Sequence, residues 1–309
     1  MTQQLKKGIL LALLTALISG ISIFYNKLVV VKGIDSLVFN IIKNGSVAAI
    51  LSVLIFSSTK RNLLKQVSSS DWKKLLLIGI VGGSIPFVLY FEGLRTVAAT
   101  NANLIHKSLF IWVTAMAIPL LGERVSTWQG AGYILVAASN LLIGGFEGFT
   151  ASPAEFMILA ATLLWAVEYI IAKNTLGSVD SSIVAWARMF VGSIVLIIIA
   201  QLNGKMPLLF QITSEQLRMI FPSIVLLAAF VTTLYKALKF APATVVTAVL
   251  ILATPITNVL SVLFMHQPIL QVQITSGLVT LAGVFLISLF VPKLTKDHAQ
   301  KATSPPLNR

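Results

Sequence analysis

Ten apolar runs of about twenty residues each leave this chain almost no room for anything else. They cover residues 8 to 31, 36 to 57, 73 to 92, 98 to 120, 128 to 146, 153 to 174, 181 to 202, 217 to 238, 243 to 265 and 270 to 291 of 309. A helix needs about 20 apolar residues to cross a hydrocarbon core. Backbone polar groups in lipid must be satisfied internally, so each run is expected to cross as a helix. Only 11% of the residues are charged and 57% are hydrophobic, against about 25% and roughly 45–50% in soluble domains. The expected fold class is therefore all-α integral membrane, with ten transmembrane helices. The first run exceeds the roughly 7–15 residues of a signal-peptide core, and no small-residue cleavage site follows it, so it is read as retained helix 1.

The net charge of +13 does not point to nucleic acid, because Lys and Arg sit in short interruptions between apolar runs. They read as topology signals and lipid headgroup contacts. With the N-terminus inside, one side collects Lys6, Lys7, Lys60, Arg61, Lys65, Lys73, Lys74, Arg124, Lys173, Lys236, Lys239 and a basic tail. The other side keeps Lys27, Lys32, Arg95, Lys205 and Arg218. This asymmetry predicts a multi-pass protein of the cytoplasmic (inner) membrane with both termini cytoplasmic. The connections 58 to 72 and 203 to 216 are long enough to lie along the interface, and the tail from Pro292 reads as disordered. The chain has no cysteine, which excludes disulfides, thiolate metal sites and Cys nucleophiles.

The chain is also duplicated. Asn103, Lys107, Phe110 and Thr114 fall on one face of a helix, and adding 144 gives Thr247, Ile251, Thr254 and Asn258. Lys27, Asp35 and Lys43 recur as Lys173, Asp180 and Arg188, and Leu94-Arg95 recurs as Leu238-Lys239, at spacings of 144 to 146. Five spans per half is an odd number, so the second half enters the membrane inverted. The units are residues 1–147 and 148–292, followed by a basic cytoplasmic tail, 293–309. Inverted repeats around a midplane site are a recurrent architecture of secondary transporters. The plainer alternative is that duplication is only a route to a large membrane fold.

These residues carry a family resemblance. Trp165-Ala166-Val167-Glu168-Tyr169 followed by Lys173, then Arg188, Ala237 to Pro242, Leu252-Ala253-Thr254-Pro255, Gly277 and Gly283-Val284 resemble the EamA repeat of the drug/metabolite transporter superfamily. Leu121-Gly122-Glu123-Arg124 resembles the ending of the fourth helix of such a repeat. The resemblance covers essentially the whole chain, as two tandem units. It implies ten helices, both termini inside, a central cavity lined by helices 1, 3, 4, 6, 8 and 9, and export or exchange of small metabolites. The chain departs from the pattern at Ile111, the counterpart of Pro255, at His266-Gln267 in place of Gly-Glu, and at Glu168, where a neutral residue is more usual.

Four ionisable side chains fall inside the helices. Lys43 and Arg188 lie about two turns inside helices 2 and 7, where long side chains snorkel to headgroups, and a structural role is favoured for them. Lys107 is near the middle of helix 4, where insertion costs about 2.5–3.5 kcal/mol even on the lenient scale. It needs a cavity or a partner, and Glu168 is the acidic residue read as deep enough to serve. The pair is either a salt bridge that fixes packing, or a site where an anionic substrate group replaces or joins Glu168. His106 is either a hydrogen-bonded residue between helices or, if it lines the cavity, a group suited to proton coupling.

Tyr90, Phe110, Trp112, Trp165, Tyr169 and Tyr235 supply aromatic walls. Trp72 and Trp128 read as interfacial anchors, and Gly130, Gly132, Gly277 and Gly283 as close-packing positions. Pro86 and Pro255 should each free a carbonyl within a helix.

The positive excess favours a small anionic or zwitterionic metabolite, such as an amino acid, organic acid or phosphate ester, carried by alternating access without a cofactor. Proton coupling is left open, as is a monomer or a homodimer in the bilayer. The substrate site is expected at Lys107, Glu168, His106, Asn103, Phe110, Thr114, Tyr90, Trp112, Trp165, Tyr169, Thr247, Thr254 and Asn258. The alternatives are a flippase-like carrier of a lipid-linked metabolite and an intramembrane enzyme. Against the enzyme, the chain has no HExxH, no paired aspartates and no GxSxG, and its histidines are His106, His266 and His298. A channel would need a polar line through the whole bilayer.

Overall fold

A computed structural model describes residues 1–30, 33–97, 99–142 and 148–292. Lys32, the last residues of the fifth run and the tail from residue 293 lie outside the described residues. The chain is all-helical: α1 (Gln3–Val30), α2 (Ser36–Phe56), α3 (Arg61–Leu64), α4 (Ser69–Gly83), α5 (Ile85–Gly93), α6 (Ala99–Lys107), α7 (Leu109–Leu121) and α8 (Thr127–Leu142) form the first half. The second half holds α9 (Pro153–Thr175), α10 (Ser181–Leu202), α11 (Met206–Phe210), α12 (Ser214–Phe240), α13 (Ala243–Val249), α14 (Ala253–Met265) and α15 (Gln271–Leu289). Among the described residues, 9 segments are long and apolar enough to cross a membrane. The fifth run contributes the 16 residues of α8; its expected end lies outside the described residues. The short α3 and α11 occupy the two long connections, matching each other across the repeat.

Side chains at the helix ends explain why the runs start where they do. Asp35 accepts hydrogen bonds from the N–H groups of Leu37 (2.9 Å) and Val38 (3.2 Å) ahead of α2. Its repeat counterpart Asp180 accepts from the Ser182 N–H (2.9 Å) ahead of α10. Ser152 with Glu155 and Thr213 with Gln216 form capping boxes at α9 and α12. At the other ends of α7 and α14, Gly122 (φ 66) and His266 (φ 50) both take the left-handed C-cap conformation. The turn is therefore retained in the second half although its glycine is not.

Glycines set the closest helix crossings. A Cβ at Gly83 would meet Arg188 O at 2.3 Å, and one at Gly192 would meet the Gly83 carbonyl oxygen at 2.7 Å, so α4 and α10 touch backbone to backbone. Between α8 and α15, a Cβ at Gly132 would likewise lie 2.7 Å from Gly283 O and one at Gly283 would lie 2.8 Å from Gly132 O. The other two glycines read as packing positions are looser: among the described residues a Cβ at Gly130 would meet nothing within 4 Å, and one at Gly277 would meet only the Pro255 side chain at 3.5 Å. Trp72 and Trp128 are exposed near helix starts, the latter stacked on Phe290, as interfacial anchors should be.

Among the described residues, three of the crossing segments are interrupted. The third breaks at Ser84 (φ −141, ψ −75), where Pro86 removes the N–H that would have bonded Gly82 O. The fourth, read above as one continuous helix, breaks at Ser108 between α6 and α7. There the Ile111 N–H bonds Ser108 O at 2.8 Å, three residues back instead of four. In the ninth, Leu250–Leu252 form a 3-10 turn between α13 and α14. Adding 144 to Ser108 gives Leu252, so the two repeats are interrupted at equivalent places. Mid-helix 3-10 stretches are a common hinge device.

Candidate functional site

The carbonyls released at Ser84 organise the centre of the bundle. Gly82 O accepts hydrogen bonds from Trp165 Nε1 (3.1 Å) and Arg188 Nη2 (3.1 Å), and Gly83 O accepts one from Asn44 Nδ2 (3.2 Å). The absence of a Cβ at Gly82 lets Glu168 approach, since a methyl there would lie 2.3 Å from Glu168 Cγ. Glu168 is fully buried and accepts a hydrogen bond on Oε1 from Tyr235 Oη at 2.5 Å. Among the described residues its Oε2 and the neighbouring Arg188 Nε have no hydrogen-bond partner. Tyr169, 5% exposed, packs beside them.

Two sequence expectations are corrected here. Arg188 does not snorkel. It is 5% exposed and holds the Gly82 carbonyl, because its position faces the break in the third segment and not a headgroup. Nor does Lys107 pair with Glu168: the ion pairs among the described residues are Lys60 with Asp180, Lys74 with Asp71, Arg95 with Glu92 and Lys205 with Asp35. Glu168 is turned toward α10 and α12, whereas Lys107 ends α6 at the break in the fourth segment. Lys43 is also buried, at 8%, with Nζ 4.5 Å from the Phe39 ring centroid; an aromatic face takes the place of the headgroup.

An aromatic box stands beside this knot. The His106 ring lies 4.8 Å from Trp165 and 5.2 Å from Tyr90, Tyr90 lies 5.7 Å from Trp165, and Phe87 closes on Trp165 at 5.3 Å between centroids. Among the described residues His106 Nδ1 has no hydrogen-bond partner, and the rings of the box meet the imidazole by its faces and edges. On the same helix, Lys107 and Asn103 are half-buried.

The remaining expected residues divide. Phe110, 2% exposed, stacks on Tyr133 at 6.2 Å, and Thr114 Oγ1 is buried in the same region. Thr247 is spent on its own helix, bonding Ala243 O at 2.9 Å. Thr254 is buried and Asn258 half-buried in α14. Trp112 is displaced from the expected cavity wall: its Nε1 donates to Ser108 Oγ (2.9 Å). With Ile111, Leu141 and Phe156 it lines a lateral apolar groove of about 430 Å³. Those three neighbours are exposed, so the half-buried Trp112 lies on the bundle's outer flank and not on a central cavity wall.

Sequence reading took Glu123 only as a member of the Gly-Glu-Arg ending and missed what it does. Its carboxylate accepts from the N–H groups of Ala243 (2.7 Å) and Thr244 (3.0 Å) and from Thr244 Oγ1 (2.7 Å), capping α13 from the other repeat. Lys173 Nζ likewise donates to Leu238 O (2.6 Å) and Ala241 O (2.7 Å) at the end of α12. Glu123 at a helix start and Lys173 at a helix end both complement the helix dipole. The only advance signal for Gly82 was Pro86, four residues on.

Comparison with known proteins fits this construction. A protein of Methanothermobacter thermautotrophicus described as an uncharacterized transporter is 23% identical over 231 residues, covering 72% of this chain and 66% of that protein. The chain thus spans slightly less than two thirds of that relative's length. An uncharacterized transporter of Archaeoglobus fulgidus is 24% identical over 233 residues, covering 74% and 79% of the two chains. A solved crystal structure superposes with a TM-score of 0.74 at 14% identity, over 91% of this chain and 97% of the other, which speaks to the fold alone. Residues 6–145 and 152–289 each match the EamA-like transporter family. With two such units in inverted tandem, the chain belongs to the EamA-like transporter family and is a multi-pass membrane transporter.

Proposed function

We propose that this transporter moves a small anionic or zwitterionic metabolite, an amino acid, organic acid or phosphate ester, by alternating access, as an exporter or exchanger. One observation carries the reading. Lys107 sits at a helix interruption deep in the bundle with no acidic partner among the described residues. An intramembrane lysine costs several kcal/mol unless a counter-charge or water meets it. The start of α7 adds its own positive end at the same break, an arrangement that suits an anionic cargo group. The box of Tyr90, His106 and Trp165 offers a flat apolar wall to the rest of the cargo. Proton coupling through a Lys107–Glu168 exchange is dropped from this reading, since Glu168 is engaged elsewhere.

The test is uptake into proteoliposomes from a panel of amino acids, organic acids and phosphate esters, with wild type and Lys107→Met. Anionic cargo should be carried by the wild type and lost in the variant. Unchanged transport by Lys107→Met would remove the lysine from the site. One observation favours a second reading, carriage of a lipid-linked metabolite: the lateral apolar groove includes Ser108, at the same break. Scrambling of a labelled lipid-linked sugar in the same vesicles, with no uptake of soluble cargo, would select it.

The asymmetry of Lys and Arg supports an inner-membrane location with both termini cytoplasmic. Because the chain lacks cysteine, single cysteines at Ser69 and Gly204 report sidedness without background. An impermeant thiol reagent applied to intact cells should label only position 204, and labelling at 69 would reverse the orientation.

A further inference from the structure

Helices α2 and α10 pack against each other, and four contacts fix their antiparallel register. At one membrane face Lys205, just past α10, reaches Asp35, the cap of α2, at 2.7 Å. Further along, Ile41 clusters with Leu196 and Ala200. Next, Trp186 Nε1 donates to Ser52 Oγ at 2.8 Å. At the opposite face Lys60, just past α2, lies 3.7 Å from Asp180, the cap of α10, and donates to Ser182 Oγ at 3.0 Å. Residue numbers rise along one helix as they fall along the other, without a gap or slip.

The two end pairs are copies of one another. Asp35 and Asp180 are 145 residues apart, as are Lys60 and Lys205. Each repeat therefore caps a helix with an aspartate that also takes the lysine following the equivalent helix of the other repeat, once at each face. Helix α4 is fastened to α10 by the Gly83–Gly192 backbone contact and by Gly79 against Val191, and to α2 by the bond from Asn44 Nδ2 to Gly83 O at 3.2 Å.

We infer that α2 and α10 form the stationary axis of the transport cycle, and that access alternates by bending at the interrupted segments and not by rocking one whole repeat against the other. Rocking of rigid repeats opens their interface at one face as it closes at the other. Such a motion would separate a different ion pair in each state, yet here both are made at once. The backbone is already broken at Ser84, at Ser108 and at Leu250–Leu252, and the last two are repeat equivalents, so each repeat carries its own bending point. The inference rests on the alternating-access reading above.

Two measurements test it. Hydrogen exchange of the purified full chain in nanodiscs needs no cargo. Amides of 41–52 and 186–196 should exchange at least about tenfold more slowly than those of 108–112 and 250–256, because local opening follows the weakest stretch of the hydrogen-bond ladder. Equal rates would overturn the axis. In the second measurement, Asp35→Cys with Lys205→Cys and Lys60→Cys with Asp180→Cys are bridged in one protein by a bifunctional methanethiosulfonate. Each sample serves as its own control after reduction. Transport by the bridged protein should stay within about twofold of the reduced protein, as expected if the gating motion lies elsewhere. Loss of transport that reductant restores would show that the helix ends must separate, and the inference would fall. A wild type that carries nothing in the panel, with the exchange pattern intact, would fault the cargo reading and leave the axis standing.

Discussion

Tyr235 donates its phenolic hydrogen bond to Glu168 Oε1 at 2.5 Å, tying α12 to α9 inside the bundle. Glu168 is thereby held by the second repeat, and the nearby guanidinium of Arg188 is spent on a carbonyl of the first. Removing the phenol with Tyr235→Phe leaves a fully buried carboxylate oxygen without a donor. That should lower stability by about 1–3 kcal/mol. Adding Glu168→Gln should recover some of the loss, because an amide is less costly to bury than a carboxylate lacking donors. Thermal unfolding in detergent checks both; a midpoint for Tyr235→Phe equal to wild type would mean that the bond contributes nothing.

What could be read in advance, and what could not, follows from the kind of signal each feature leaves. The succession of apolar spans, the inverted duplication and the recurrence of Asp35 as Asp180 were legible, because each rests on local composition or on repetition at fixed spacing; that both aspartates cap helices was not. The partner of Glu168 was not. Depth in the membrane restricts which residues can meet but does not say toward which neighbour a helix face is turned. Trp112 was placed in the cavity wall only because it is aromatic; at two residues from Phe110 it lies off the face shared by Lys107 and Phe110. The Ser108 break itself has no proline to announce it; only its second-half equivalent, just ahead of Pro255, carried a marker.

Lys107→Met now has a different expected outcome from that of a structural cation. No ion pair among the described residues depends on Lys107, so the substitution strands no carboxylate. It should leave the unfolding midpoint unchanged or raise it, since an unpaired charge leaves the apolar zone, while uptake of anionic cargo is lost. Aggregation or a midpoint many degrees lower would show that the charge holds the fold together.

Glu123 clamps the first turn of α13 from the end of α7, with two backbone N–H groups and the Thr244 hydroxyl on one carboxylate. Charge-assisted bonds of this kind contribute about 1.5–3 kcal/mol each when their loss leaves buried donors unmet. Glu123→Ala should therefore be among the more damaging single changes. Glu123→Gln, which keeps one acceptor, should cost roughly half as much on the same principle. Comparable midpoints for the two would mean that water replaces the carboxylate.

The ion pair at the start of α2 has a defined pH signature. Partial burial opposes the charge on Asp35, but Lys205 and the N–H groups of Val38 and Leu37 outweigh it and hold the carboxyl below its ordinary value. A depressed carboxylate contributes stability that is complete above the unfolded pKa of about 3.9 and is lost as pH falls through the folded value. The midpoints of wild type and Lys205→Gln should therefore differ by a constant small amount between about pH 5 and 8 and converge below about pH 4. With side chains 38% and 27% exposed, the difference should stay under about 1 kcal/mol. A gap that widens in acid would show that Lys205 does not stabilise the ionised form.

The C-cap of α14 carries a residue poorly suited to its backbone. His266 sits at φ 50 with an exposed side chain, in the turn for which the first repeat uses Gly122 at φ 66. A side chain with a Cβ in the left-handed region crowds the following carbonyl, which glycine avoids. His266→Gly should therefore remove local strain. Glycine also gives the unfolded chain more freedom, which offsets some of the gain, so the net stabilisation should be about 0.5–1 kcal/mol. The reverse kind of substitution in the other repeat, Gly122→Ala, should destabilise by about 1 kcal/mol or more. Unfolding midpoints of the two variants measured side by side should move in opposite directions; a drop for His266→Gly would mean that the imidazole makes a compensating contact in the membrane-embedded protein.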